Sequence, residues 1–374
     1  MHTTKSIGTY KVPYTSFSSQ IEGIKAELLA AAERVIDGGR YILGPQLAKL
    51  EQKLAEYIGV EHVVGMSSGT CALHLLLKGL GVAKGDEVIT VPNSFVATAA
   101  AIAVSGGVPV FVDVAEDMNI DPTLIESAVS PRTKGIVVVH LTGRPAKMSE
   151  VLKVAQKHHL FVVEDAAQAI GAKRNGKQVG TFGDAAAFSC HPLKNLFAFG
   201  DSGFVTTSYG ELYKRMWMSR SHGMSSREIC DFWAYNCRMD ELHAAMLLVN
   251  LKQLPVWTER RRELAFRYND ALRPYVRVPE EAPGEYCVYQ TYMIQTQRRD
   301  ELEGYLLANG VEALTHYRVP LHLQPAAGEL GYAETSLPVA ERLCREILSL
   351  PLYPAMTEAQ QDYVIGLIAR FYES

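Results

Sequence analysis

Phe188-Ser189-Cys190-His191-Pro192-Leu193-Lys194-Asn195 carries an apolar run into a polar loop that ends at Gly200-Asp201-Ser202-Gly203. Upstream, Leu160-Phe161-Val162-Val163-Glu164-Asp165 is a second apolar run, closed by acids and followed by Ala166-Ala167-Gln168. An acid ending one buried strand and a lysine just past another are what a pyridoxal phosphate site requires. The lysine amine forms the imine link to the cofactor. The carboxylate pairs with the protonated pyridine nitrogen and keeps the ring an electron sink. Without that partner in a dry site, the ring nitrogen would tend to lose its proton.

Working outward, seven short runs read as strands: His62–Met66, Glu87–Val91, Val108–Val114, Gly135–His140, Leu160–Glu164, Ala185–Ser189 and Gly203–Thr207. Their near-continuous apolar character fits burial on both faces. Helical spacing fills the gaps at Ala72–Gly79, Val96–Val104, Met148–His158 and Tyr209–His222. The alternation predicts an α/β fold, a mostly parallel seven-stranded sheet sandwiched by helices. Ligand residues should gather at the carboxyl ends of its strands. From Asp240 the pattern changes to two long helical stretches, Glu241–Leu254 and Trp257–Leu272. A strand over Val288–Gln295 and helices over Asp300–Asn309 and Glu358–Phe371 follow. This predicts a large domain over 1–254 and a smaller C-terminal α+β domain over 255–374.

Composition narrows the class. The 374 residues are 48% hydrophobic and 21% charged, with net charge −4. No basic block stands out, which argues against a nucleic-acid partner. The start of the chain, 1–13, is polar and lacks the apolar core of a secretory signal. No apolar run approaches the roughly 18 residues that span a bilayer. The six cysteines form no CxxC and no zinc-ligand spacing, so free thiols, no metal and a cytoplasmic location are expected.

Other motifs each have a plain structural reading beside the functional one. Ser67-Ser68-Gly69-Thr70 follows a strand and opens a helix, which suits a phosphate or simply an N-cap. Phe95 opens the next helix and can stack on a flat ring or fill the core. Asp165 can cap a helix as readily as hold a ring nitrogen. Gln168, one helical turn on, faces the same side and can donate to a phenolic oxygen. Ser189 can add a hydroxyl to the phosphate. His191 has no ligand partners and suits a local structural or substrate-side role. Gly176, Gly180 and Gly183 form neither GxGxxG nor a P-loop. Their order and placement together make the specific signal.

At this combination the chain resembles the DegT/DnrJ/EryC1/StrS family of pyridoxal phosphate-dependent sugar aminotransferases, on the aspartate aminotransferase fold (fold type I). The likeness runs from Tyr41-Ile42-Leu43-Gly44-Pro45 through Ser68-Gly69-Thr70, Asp113, Asn119-Ile120-Asp121-Pro122 and His140-Leu141. It continues through Glu164–Gln168, Phe188–Asn195, Asn236–Asp240, His316-Tyr317 and Leu348–Pro351. The resemblance implies that Lys194 carries the cofactor, Asp165 holds its ring nitrogen and Gln168 its phenolic oxygen. Phe95 would stack on the ring, and Gly69, Thr70 and Ser189 would hold the phosphate. Asn236 would reach the phosphate from the other subunit of a homodimer with shared active sites. Arg220, His316 and Tyr317 would line the nucleotide-sugar side.

The implied reaction passes an amino group from L-glutamate, through pyridoxamine phosphate, to a nucleotide-linked keto-sugar, leaving 2-oxoglutarate. Gly200-Asp201-Ser202-Gly203 leans toward sugar carbon 3 over carbon 4. The alternatives are a sugar dehydratase, a cyclitol aminotransferase, a non-catalytic regulatory protein that binds the cofactor, and a nicotinamide oxidoreductase. Lys194, where related dehydratases have histidine, favours transamination. The missing GxGxxG speaks against the oxidoreductase. Two departures from the family pattern stand out. Gln290 takes the place expected for histidine. Thr142 takes that of tyrosine, with Arg144 as an added cation. Either change would make the substrate unusual if it lined the sugar pocket.

Overall fold

The computed structural model describes residues 10–374, so most of the polar start of the chain lies outside the described residues. The main sheet has seven strands: β1 (His62–Met66), β2 (Glu87–Thr90), β3 (Val108–Phe111), β4 (Thr133–Val139), β5 (Phe161–Asp165), β6 (Ala185–Ser189) and β7 (Gly203–Thr207). Their spatial order is β1-β7-β6-β5-β4-β2-β3. β7 runs antiparallel to both its neighbours. The other strands run parallel, so their carboxyl ends open on one edge, where β7 begins at Gly203.

Burial on both faces explains the unbroken apolar runs. In β4, Val137 enters one core while Ile136 and Val138 enter another. The first of these cores is completed by α3 (Gly69–Gly79), α4 (Val96–Val104) and α6 (Gly210–Ser219). The opposite face carries α2 (Pro45–Ile58) and α5 (Met148–Lys157). A further helix, α1 (Lys25–Gly38), packs Leu28, Ala31 and Val35 with Ala245 and Val249.

The two helices expected after Asp240 are one. α7 (Glu241–Leu272) runs 32 residues with Pro255 inside it. A proline there removes one backbone donor and costs about 3 kcal/mol in an isolated helix. Packing at both ends overrides that cost. Ala244, Leu247 and Leu254 enter the core beneath α2, whereas Leu264, Tyr268 and Leu272 enter a separate C-terminal core. The expected boundary at 254/255 thus falls within a continuous helix. The C-terminal core also holds α8 (Arg299–Ala308), α10 (Glu358–Glu373) and the antiparallel pair β8 (Tyr292–Gln295) and β9 (Ile347–Leu350). α9 (Pro338–Glu346) leads into β9. The strand expected from Val288 begins only at Tyr292, because Val288 and Gln290 bond to the loop after β6 instead.

Two buried groups pin the sheet edge where the ligand residues lie. Glu164 on β5 accepts from the amides of Gly180 (2.9 Å), Phe182 (2.8 Å) and Gly183 (2.9 Å). His140 lies 2.9 Å away through Nε2, while its Nδ1 accepts from the Ala146 amide at 3.0 Å. That second bond fixes the tautomer, so Nε2–H donates to Glu164. Burial alone would raise the Glu164 pKa, but His140 and the backbone donors outweigh it and hold it below 4.5. A depressed carboxylate contributes stability above its ordinary value and loses it as pH falls through its own lower value. Glu164→Gln is expected to lose about 1–3 kcal/mol at neutral pH, since its amide nitrogen would face buried donors that then lack an acceptor. Urea unfolding followed by tryptophan fluorescence measures this. The variant should also lose less additional stability than the parent between about pH 5 and pH 3. Equal acid sensitivity would place the acid loss elsewhere.

Candidate active site

The strand ends enclose a cavity of about 360 Å³ lined by Gly69, Thr70, Phe95, Asp165, Gln168, Ser189, Lys194, His316 and Tyr317, among others. At one end lies the amino terminus of α3. Ser68 caps it, accepting from the Cys71 amide at 3.0 Å. The amides of Gly69 and Thr70 are the first two of the helix, so they have no acceptor within it. Space there is tight. A Cβ on Gly69 would lie 2.8 Å from the Ser189 Cβ, and one on Gly203 would lie 2.5 Å from the Ser68 carbonyl carbon. Both glycines therefore keep the turn against β6, where backbone donors and the Thr70 and Ser189 hydroxyls can receive an anion.

Asp165 sits between β4 and β6, in register with Val139 and Ala187. It is 5% exposed. Thr98 donates to its Oδ2 at 2.7 Å, and the Ala167 amide to its Oδ1 at 3.2 Å. Because the Thr98 proton is committed to Asp165, the 2.8 Å contact with Ser94 is a donation from Ser94. Burial raises the Asp165 pKa against these donors and the Lys194 charge. Lys194 responds in the opposite sense. The residue as a whole is half-buried, and desolvation pulls its amine down to about 8 against the attraction of Asp165. Each group disfavours charge alone and is steadied by the other.

The remaining walls fix orientation. The Thr142 amide, in left-handed backbone at φ 62°, donates to Gln168 Oε1 at 2.6 Å. That leaves the Gln168 amide nitrogen as the donor for the cavity. Gln290 clamps the lysine loop on both sides of Lys194. Its Oε1 accepts from the Asn195 amide at 2.8 Å, and its Nε2 donates to the Leu193 carbonyl at 2.6 Å. Phe95 is 54% exposed at the mouth, with its ring centre 5.7 Å from that of Tyr317. His316 bonds Ser349 at 3.0 Å. Burial and the Lys194 charge pull its pKa down to about 4, so it is neutral at neutral pH. His191 lies at the exposed side of the cavity.

Two expected residues lie elsewhere. Arg220 does not line the cavity: it is buried and donates to Glu51 and, at 3.2 Å, to the Gly65 carbonyl. Its charge is consumed in tying α2 to β1, a role that needs a partner 169 positions away in sequence. Asn236 is exposed on this chain's surface and outside this chain's cavity. Arg144 also points away, pairing with Glu285 at 2.7 Å in a separate cleft. Thr142 acts through its backbone, and Gln290 through the lysine loop. Gln290, singled out as a departure, lines the cavity, and Thr98 and Arg261 are cavity residues that the sequence motifs did not single out.

The donors fit pyridoxal phosphate by their chemistry. An anion cradle closed to any side chain stands at one end. A buried carboxylate suits a pyridinium, an amide donor a phenolate, and an enclosed amine an aldehyde. Residues 22–369 match the DegT/DnrJ/EryC1/StrS aminotransferase family. A Geobacillus stearothermophilus protein named pleiotropic regulatory protein is 43% identical over 366 residues, covering 96% of this chain and 98% of that one. The dTDP-3-amino-3,4,6-trideoxy-alpha-D-glucose transaminase of Streptomyces venezuelae is 41% identical over 368 residues, covering 98% and 97%. The crystal structure of S. venezuelae DesV with a ketimine intermediate superimposes with a TM-score of 0.95 at 41% identity, covering 98% of this chain and 100% of that one. With this match over nearly its whole length and the same fold, the chain belongs to the DegT/DnrJ/EryC1/StrS family of pyridoxal phosphate-dependent aminotransferases.

Proposed function

We propose that this enzyme moves an amino group from L-glutamate to carbon 3 of a nucleotide-linked keto-sugar, as a cytoplasmic homodimer with shared active sites. The observation that carries the reading is the enclosed Lys194 amine facing buried Asp165, with the glycine-walled anion cradle in the same cavity. When bound, the cofactor supplies an electron sink that acidifies the donor α-carbon and alternates between aldehyde and amine forms. Asp165 keeps the ring nitrogen protonated, with Thr98 and Ala167 fixing its direction. Gln168 donates to the phenolic oxygen. Gly69, Thr70 and Ser189 hold the phosphate, and Phe95 covers one ring face. Lys194 anchors the cofactor between turnovers. When freed, its amine carries the proton to and from the donor α-carbon, for which a value near 8 suits neutral pH. Neutral His316 and Tyr317 offer hydrogen bonds toward the sugar.

Carbon 3 is supported by the 3-amino product named for the S. venezuelae relative and by the Gly200-Asp201-Ser202-Gly203 loop. The dimer is supported by the surface around Asn236. Trp233 is 95% exposed, and Ile229 and Tyr235 lie on the same segment. A bare aromatic patch of this kind marks a surface that a partner covers. The whole reading is tested by incubating the holoenzyme with L-glutamate and a panel of dTDP- and UDP-linked keto-sugars. Mass spectrometry should find a sugar that has gained an amino group. A product that has lost water instead would make the enzyme a dehydratase. No half-reaction with glutamate would leave a regulatory role.

Three variants probe the assignments. Lys194→Ala should fold yet lose roughly 10²-fold or more in turnover. In the parent protein stripped of cofactor, labelling of this amine by a small acylating reagent should rise through about pH 8. Near-parental turnover in the variant would end the assignment. Asp165→Asn should lower the glutamate half-reaction by roughly 10²-fold while leaving cofactor content near parental. An unchanged rate would remove the electron-sink role. Finally, mixing Lys194→Ala with Asn236→Asp subunits should restore activity, because one site of the heterodimer is then intact. The Asp carboxylate damages its own homodimer by opposing the cofactor phosphate. Verified heterodimers without recovered activity would place Asn236 outside the shared site.

A further inference from the structure

Arg261 is a buried cation that the roles above leave unused. It projects from α7, is 5% exposed and lines the same cavity as Lys194. Its Nη1 donates to the Leu352 carbonyl at 2.8 Å and the Tyr289 carbonyl at 3.3 Å. Its Nε is buried without a partner. Other buried arginines are neutralised: Arg220 by Glu51 and Arg299 by Asp300. No carboxylate among the described residues pairs with Arg261. Burial pulls its pKa down to about 10, and the group that opposes this is the hydroxyl of Tyr14. Tyr14 lies beside Thr291 and Ser349, and Ser349 in turn bonds His316.

A guanidinium removed from water costs several kcal/mol unless an anion meets it. Here the protein supplies only neutral oxygens. Of the planar fork, Nη1 is spent on the two carbonyls and Nε is buried, so Nη2 is the group left to meet an anion such as a carboxylate. Size selects which anion. Phe95 and Leu193, 54% and 44% exposed, mark the open side of the cavity. A nucleotide diphosphate must lie toward that opening, whereas only a small molecule can reach an arginine buried among Tyr14, Thr291 and Leu352. The cofactor phosphate already has its cradle at Gly69 and Ser189.

We propose that Arg261 anchors a carboxylate of the amino donor, with Tyr14 and Thr291 as neighbouring hydroxyl donors. The assignment rests on the reading of the enzyme as a glutamate-dependent transaminase. It makes Arg261 a binding residue for one half-reaction only, since the nucleotide-linked sugar is held toward the opening.

The test uses the cofactor-loaded dimer with Arg261→Gln and Arg261→Lys. Gln keeps a donor for one backbone carbonyl and removes the charge; Lys keeps the charge and loses the fork. Glutarate, a dicarboxylate that cannot react, is titrated by calorimetry. Single-turnover spectra give the affinities for L-glutamate and, in reverse, for the amino-sugar product. Arg261→Gln should weaken glutarate and glutamate roughly 30-fold or more, with Lys intermediate. Amino-sugar affinity should change by no more than about threefold. Unchanged glutarate binding, or equal losses in both half-reactions, would overturn the proposal. Parental enzyme that binds glutarate through Arg261 but never converts glutamate would keep the anchor and reject the donor. Conversion of glutamate untouched by either variant would do the reverse. If the variants do not fold, the parental enzyme decides. It should prefer glutarate over the isosteric diamide by roughly 30-fold, and equal binding of the two would overturn the assignment.

Discussion

Asp165 and Lys194 face one another across a space from which water is largely removed. Burial pushes the carboxyl up and the amine down, so the amine is readied to take a proton while the carboxylate depends on its donors and a facing cation to stay charged. Neither group could be held there alone. Thr98 and the Ala167 amide aim the carboxylate, and Ser94 aims Thr98. Gln290 grips the backbone on either side of the lysine. Behind Asp165, Glu164 ties the strand end to the 180–183 turn and to His140. The parallel sheet brings these residues to one edge because its strands end there together.

The sheet was readable because strands buried on both faces carry unbroken β-branched runs, and turn residues bound each run. Lys194, Asp165 and Gln168 were readable because they stand at fixed offsets from such strand ends. Other assignments depended on tertiary partners that local spacing does not reveal. Arg220 carries no local sign of Glu51, and Arg261 no local sign that it lacks an acid. Thr98 lies one helical turn past Phe95, but its acceptor is 67 positions further on. Pro255 gave a false stop: the rule that proline ends a helix yields where two cores grip the same helix from both sides. α1 and α2 carry apolar residues at helical spacing, yet no strand precedes them to mark their place in the alternation.

Of the departures from the family pattern, Gln290 both lines the cavity and supports the lysine loop, whereas Thr142 and Arg144 lie outside the cavity lining. Thr142 offers a backbone amide, which any residue able to take its left-handed conformation would supply. Gln290 uses both ends of its amide at once, accepting from Asn195 and donating to Leu193. A neutral imidazole could serve both bonds only if its two nitrogens spanned the same gap. Gln290 therefore bears on how stiffly the lysine loop is held, and Thr142 on how Gln168 is aimed.

The continuous α7 has a mechanical consequence. A helix seated in two cores acts as a beam, and Arg261 lies on the part that reaches over the cavity. Hinge motion between the halves would have to bend this beam or strip one of its seats. The distance between the strand-end carboxylate and the arginine is thereby set before any substrate arrives. A ligand entering such a rigid frame gives up its own freedom without having to order the protein as well.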